Sequence, residues 1–147
     1  MKITHAEAFA LNIPFYAKRV TRAMQRASTH DERVWVVRLE TDNDLVGWAD
    51  SHGQPNIDGL VGQNPAAIMH RDAIGFGPQV ACYDLVGQDQ GVPIHALLGV
   101  KLRDRCPLSW WDIDMPAQDW AAEARESIKR GYTSFKMKAR PWRDIIA

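Results

Sequence analysis

The sequence predicts a small α+β unit followed by the opening of a parallel βα sheet or barrel. Three observations carry that expectation. Apolar residues recur with a period of two over residues 3–13 and 33–49; helical segments punctuated by glycine and proline fill 65–98; a strand–helix–strand rhythm runs on from residue 106. At 147 residues, the chain is long enough to bury a real core. Its 46% apolar and 24% charged content is that of a globular protein and not of a disordered one.

Residues 3–13 place Ile3, Phe9, Leu11 and Ile13 against Ala6, Ala8 and Ala10, and Pro14 ends the strand. Residues 16–32 are polar and basic with weak periodicity and read as a long loop. The β-branched and aromatic run Arg33-Val34-Trp35-Val36-Val37-Arg38-Leu39-Glu40 is a second strand. A turn at 41–44 then leads to a third at 45–49, so an antiparallel meander opens the chain. Residues 50–62 form another loop. Residues 65–71 suit a short helix interrupted by Gly75-Phe76-Gly77, a second helix runs from Pro78 to near Gly87, and a last turn or two over 93–98 closes at Gly99.

From residue 106 the pattern changes. Residues 106–111 are apolar without alternation, as in a parallel strand buried on both faces. Residues 112–115 form a loop in which Asp114 can cap the next helix. Over 116–130 Trp120, Ala121, Ala124 and Ile128 share a stripe, while Asp119, Glu123, Glu126 and Lys129 face water. Residues 133–139 are a second strand, and 141–146 open a further helix.

Composition also excludes functions. Eighteen Lys+Arg balance eighteen Asp+Glu, so neither nucleic acid nor an anionic membrane is an expected partner. No apolar run approaches a membrane span, and the polar N-terminus is no signal peptide, so a cytoplasmic location is expected. Cys82 and Cys106 match no metal or redox spacing and read as reduced, buried thiols. Gly75-Phe76-Gly77 lacks the third glycine of a dinucleotide loop, and the five histidines include no His-x-x-x-His pair. Asp84, in an apolar helix, reads as a buried, paired structural acid. Trp110 and Trp111 read as packing residues in preference to a sugar platform.

The most informative motif is Lys136-Met137-Lys138. On a strand the two lysines share one face, about 6.6 Å apart at Cα. Like charges that close, partly buried, disfavour protonation, and a lysine brought to about 7–8 can act as a general base at neutral pH. By spacing alone, Lys-x-Lys is more often a solvated edge.

Four segments in order change that balance. They are Leu45-Val46-Gly47-Trp48-Ala49-Asp50; Tyr83-Asp84-Leu85-Val86-Gly87-Gln88 with Gly91-Val92-Pro93 and Leu97-Leu98-Gly99; Arg103-Asp104-Arg105-Cys106-Pro107; and Lys136-Met137-Lys138. Together they resemble the enolase superfamily, in the branch of mandelate racemase and muconate lactonising enzyme. The resemblance implies an α+β capping domain, a three-stranded meander plus helices, over residues 1–99. The beginning of a (β/α) barrel is implied over 100–147, incomplete against the about 250 residues of a whole one.

It further implies abstraction of the α-proton of a carboxylate or sugar-acid substrate through an enediolate stabilised by Mg2+, as in acid-sugar dehydratases and racemases or epimerases. Lys138 would be the base and Lys136 its helper. Cap loops would contribute Tyr16, Arg19, Arg22, His30, His52 and Gln54 to substrate binding. The family's metal ligands belong to later barrel strands. The chain is therefore expected to be truncated, to hold no metal by itself, to be inactive alone and to form a homo-oligomer. The alternative expectation is a non-catalytic module that persists by self-association.

Overall fold

The computed structural model describes residues 1–26 and 32–138, and these fall into two compact units. Unit 1 comprises Met1–Ile13 and Arg33–Leu102; unit 2 comprises Pro14–Glu32 and Arg103–Ala147. The helix expected at 141–146 and the candidate His30 lie outside the described residues.

Unit 1 is built on a three-stranded antiparallel sheet in sequential order: β1 (Ile3–Asn12), β2 (Arg33–Thr41) and β3 (Val46–Ser51). Phe9 pairs with Val36 and Arg38 with Trp48, and a β-bulge sits between Ile3 and His5. Alternation decides the faces. Ile3, Val37 and Leu39 turn inward, and Leu60, Ile68, Ala81, Cys82 and Leu85 close the core over them. Burial pushes the Cys82 thiol up to about 12, so it is an inert core residue.

The helices of unit 1 are α2 (Pro65–Ile68), a 3₁₀ turn (Asp72–Ile74), α3 (Phe76–Gln90) and α4 (Ile94–Leu98). The break expected at residues 75–77 falls at Gly75, which has a φ of 81° and caps the start of α3, although Phe76 and Gly77 already belong to that helix. The stop near Gly87 is corrected, because α3 runs through it to Gln90. Gly77 is a contact glycine: a Cβ there would lie 2.9 Å from the side chains of Ser51 and Val37. The true stop is Gly91, whose φ of 65° suits glycine and whose N–H donates to the carbonyls of Gln88 and Gly87.

Side chains of α3 also protect the free edge of β3. Asp84 Oδ2 accepts from the backbone N–H of Trp48 at 2.9 Å, and Gln88 Nε2 donates to the carbonyl of Val46 at 2.9 Å. The expectation of a paired structural acid at Asp84 matches this geometry, but the residue is half-buried and not buried. Replacing Asp84 with alanine is expected to cost about 1 kcal/mol and to speed amide exchange at Trp48, measured by hydrogen–deuterium exchange.

Unit 2 contains α1 (Lys18–Arg26), β4 (Trp110–Trp111), α5 (Ala117–Lys129) and β5 (Phe135–Lys136). The loop expected over 16–32 is corrected by α1. Its only apolar anchors, Val20, Ala23 and Met24, sit at i, i+3 and i+4 among basic residues, and they are buried against Ile113, Met115 and Trp120. The strands β4 and β5 pair in parallel, Trp110 with Phe135 and Trp111 with Lys136. The ladder continues as Asp112 N–H donates to the carbonyl of Lys136 at 3.0 Å.

Three further expectations are corrected in this unit. The strand at 106–111 is reduced to its last two residues: Cys106 is exposed, Leu108 is 70% exposed, and Pro107 has no N–H to pair. The faces of α5 hold at Trp120, which is buried, and Lys129, which is exposed, but are corrected at Glu123, 1% exposed, and Ile128, 71% exposed. The N-cap position of α5 is Pro116, which offers no side-chain cap hydrogen bond, and not Asp114.

Candidate functional site

The candidate site begins at the β4–β5 pair. Successive residues of a strand point to opposite faces, and here Trp110 and Trp111 separate two environments. Trp110 turns toward α5, where its indole N–H donates to Glu123 Oε2 at 3.0 Å. Trp111 turns the other way, and Lys136 Nζ stands 5.5 Å from the centre of its ring. Lys136 is therefore on the face of the sheet away from α5. It is exposed, Lys138 is half-buried, and the regular strand ends at Lys136, so Lys138 lies just past it. The cation–π contact holds the first ammonium beside the sheet.

On the α5 face, Glu123 gathers three donors. The Tyr16 hydroxyl donates to Oε2, Arg19 Nε donates to Oε1, and Trp110 completes the set. Burial first, and the Glu123 hydrogen bond second, hold the Tyr16 phenol above its ordinary range. Tyr16 and Tyr132 each meet Trp110 edge-to-face, at 5.8 and 5.1 Å between ring centres. The Arg130 guanidinium lies over both Tyr16 and Trp110. The polar ends of Tyr16 and Arg19 are thus engaged on the side of β4 opposite Lys136.

The other residues named from sequence separate into two settings. Arg22 is exposed on α1. His52 and Gln54 line a cavity of about 310 Å³ in unit 1, shared with Ser51, Asn56 and the exposed ring of Phe76. Sequence reasoning placed Asp112 at the mouth after the first barrel strand but missed its burial, the burial of Glu123 and the pairing of Trp111 with Lys136. Glu123 had a legible signal, because it falls on the Trp120–Ser127 stripe of α5, but its charge argued for water.

Asp112, directly after β4, is 1% exposed. Its Oδ1 accepts from Ile113 N–H at 2.8 Å, and Oδ2 has no partner among the described residues. Burial pushes this carboxyl up to about 6, and the neighbouring Glu123 adds to the rise. Among the described residues no group of three or more His, Cys, Asp or Glu could hold a metal ion. The orphaned Asp112 oxygen has no second free carboxylate beside it, because Glu123 is already bound by three donors. These residues do not fit a divalent-metal site.

An antiparallel meander with helices, followed by a parallel βα pair, defines the class of fold: the N-terminal portion of an enolase-type protein. No family model matches the chain. Among curated proteins, it is 26% identical to the N-succinyl-L-Arg/Lys racemase of Bacillus cereus, over 94% of this chain and 44% of the racemase. It is 30% identical to a D-galactonate dehydratase of Verminephrobacter eiseniae, over 69% of this chain and 34% of the dehydratase.

Solved structures show the same fold. The B. cereus racemase superposes with a TM-score of 0.72 at 22% identity, covering 95% of this chain and 44% of that one. A dipeptide epimerase from Methylococcus capsulatus, complexed with a magnesium ion, gives 0.67 at 20% identity over 93% and 44%. A mandelate racemase/muconate lactonizing enzyme from Sulfitobacter sp. gives 0.63 at 22% over 93% and 42%. The chain belongs to the enolase superfamily, in its mandelate racemase/muconate lactonising branch. It spans less than half the length of the curated relatives it matches. No described helix is long and apolar enough to cross a membrane.

Proposed function

We propose that this chain forms the capping domain, residues 1–99, and the first barrel strands, from residue 100, of an enzyme that abstracts the α-proton of a carboxylate substrate. Racemisation or epimerisation and acid-sugar dehydration are the two outcomes of that step in the relatives' names. The observation that supports the reading is the Lys136–Lys138 pair at the end of β5, in a chain that shares its fold with a racemase and an epimerase. Lys138 is assigned as the base. Lys136, anchored over Trp111, is assigned to the substrate carboxylate. Loop residues His52 and Gln54 are assigned to substrate selection from the cap, with Tyr16, Arg19, Arg22 and His30 as the remaining candidates.

Mg2+ is the cofactor expected for such an enzyme, where it would stabilise the enediolate. None of the residues described here is assigned to it. A homo-oligomer is the expected assembly. The second reading, a non-catalytic module that persists by self-association, is favoured by the large exposed side chains Val100, Leu102 and Leu108, at 87%, 85% and 70%.

The test is exchange of the substrate α-proton in deuterated water, with magnesium, against a panel of sugar acids and N-succinyl amino acids. It is run on the longest natural form that contains this chain. Lys138→Ala is expected to lower exchange by at least about 10²-fold. Undiminished exchange in that variant removes Lys138 as the base, and absence of exchange with every acid in the parent favours the non-catalytic reading.

A further inference from the structure

We propose that Asp112 is a built-in pH sensor, held as the neutral acid in the folded chain, whose ionisation loosens the junction of α1, β4 and α5. Three geometric facts converge on it. The side chain is 1% exposed, its Oδ2 has no hydrogen-bond partner among the described residues, and its neighbours Ile113 and Met115 are buried with it. A bare carboxylate in such a place carries the full cost of lost hydration, whereas the neutral acid carries far less.

The charged groups around it do not cancel that cost. From α1, Arg19 favours the ionised form, but its Nε is already committed to Glu123. From α5, Glu123 and Asp119 both oppose a second negative charge. From β5, the element contributes the Lys136 carbonyl, bonded to the backbone of Asp112, while the Lys136 ammonium sits over Trp111 on the other face. That backbone bond gives the sensor its reach. A shift of Asp112 is transmitted to the strand that carries Lys136, independently of which reaction the lysines serve.

The direction follows from the raised value. With a folded-state value of about 6 against an ordinary 3.8, the neutral acid's contribution is complete below about pH 4 and is lost as pH rises through about 6. The experiment compares the full chain with Asp112→Asn, which keeps the shape of the neutral acid, in urea titrations from about pH 4 to about pH 8. The parent's folded-to-unfolded ratio should fall across this range by about 10²-fold more than the variant's. Parallel pH dependence in the two proteins overturns the proposal. If the variant does not fold, ¹³C titration of the Asp112 carboxyl in the parent decides instead: a transition near 6 supports the proposal, and one near the ordinary value overturns it.

Discussion

Replacing Glu123 with alanine is expected to destabilise unit 2 by about 3 kcal/mol, the lower end of the range for breaking a buried charge pair. The carboxylate is 1% exposed and receives the Tyr16 hydroxyl, Arg19 Nε and the Trp110 indole N–H. Its removal strands all three donors at once. Arg19 and Tyr16 are partly exposed and can regain water, which keeps the cost from reaching the top of the range. Because α1 is held to α5 through this carboxylate as well as through Val20, Ala23 and Met24, its amides should lose exchange protection before those of α5 do. Urea unfolding followed by tryptophan fluorescence gives the energy, and hydrogen exchange locates the loss. A stability within about 0.5 kcal/mol of the parent would show that the cluster is ornamental to the fold.

The second large effect is expected at Gly47. A Cβ there would lie 2.4 Å from the Ala81 carbonyl oxygen and 2.6 Å from Leu85 Cγ. The first of these is helix backbone, which cannot move aside without breaking α3, and Leu85 is fully buried. Gly47→Ala therefore forces α3 off the sheet, at a cost of about 3 kcal/mol, the upper part of the range for overpacking. The melting temperature should fall by about 6–12 °C. A melt unchanged from the parent would mean that α3 does not seat on β3 as described. The sequence showed this glycine only as part of a motif; its reason is the approach of a helix backbone to the strand.

Much of unit 1 was legible because its determinants are local. Period-two alternation set β1, β2 and β3 to within a residue or two, and residues 41–45 supplied the turn, with Asp44 at a φ of 63°. Where reading failed, a local signal was outweighed by a contact distant in sequence. Gly77 and Gly87 look like helix breakers, yet α3 continues because each glycine makes room for a neighbour: Val37 and Ser51 in one case, the Val92 carbonyl in the other. Residues 16–32 look like a basic loop because the three apolar residues that make α1 a helix matter only once Ile113, Met115 and Trp120 are placed against them.

The candidate site shows the same division. Lys136 and Lys138 stood out in the sequence because two cations at strand spacing in an apolar run demand an explanation. The acids of unit 2 did not, since Glu123 in an amphipathic helix and Asp112 in a polar loop look like ordinary solvated residues. Their burial depends on Tyr16, Arg19 and Trp110, which lie 107, 104 and 13 positions away from Glu123.

By itself, then, the sequence determined the class of fold, the antiparallel meander, the helix–turn signature around Asp84 and the presence of a paired-lysine strand. These follow from backbone propensity and side-chain periodicity, which act over a few residues. Only the tertiary structure decided that α1 is a helix, that α3 runs through two glycines, that Glu123 is the anchor of unit 2 and that Asp112 carries an unpartnered oxygen. Burial is a property of neighbours brought together by folding, and it is burial that turns an unremarkable acid into a clasp or a titrating switch.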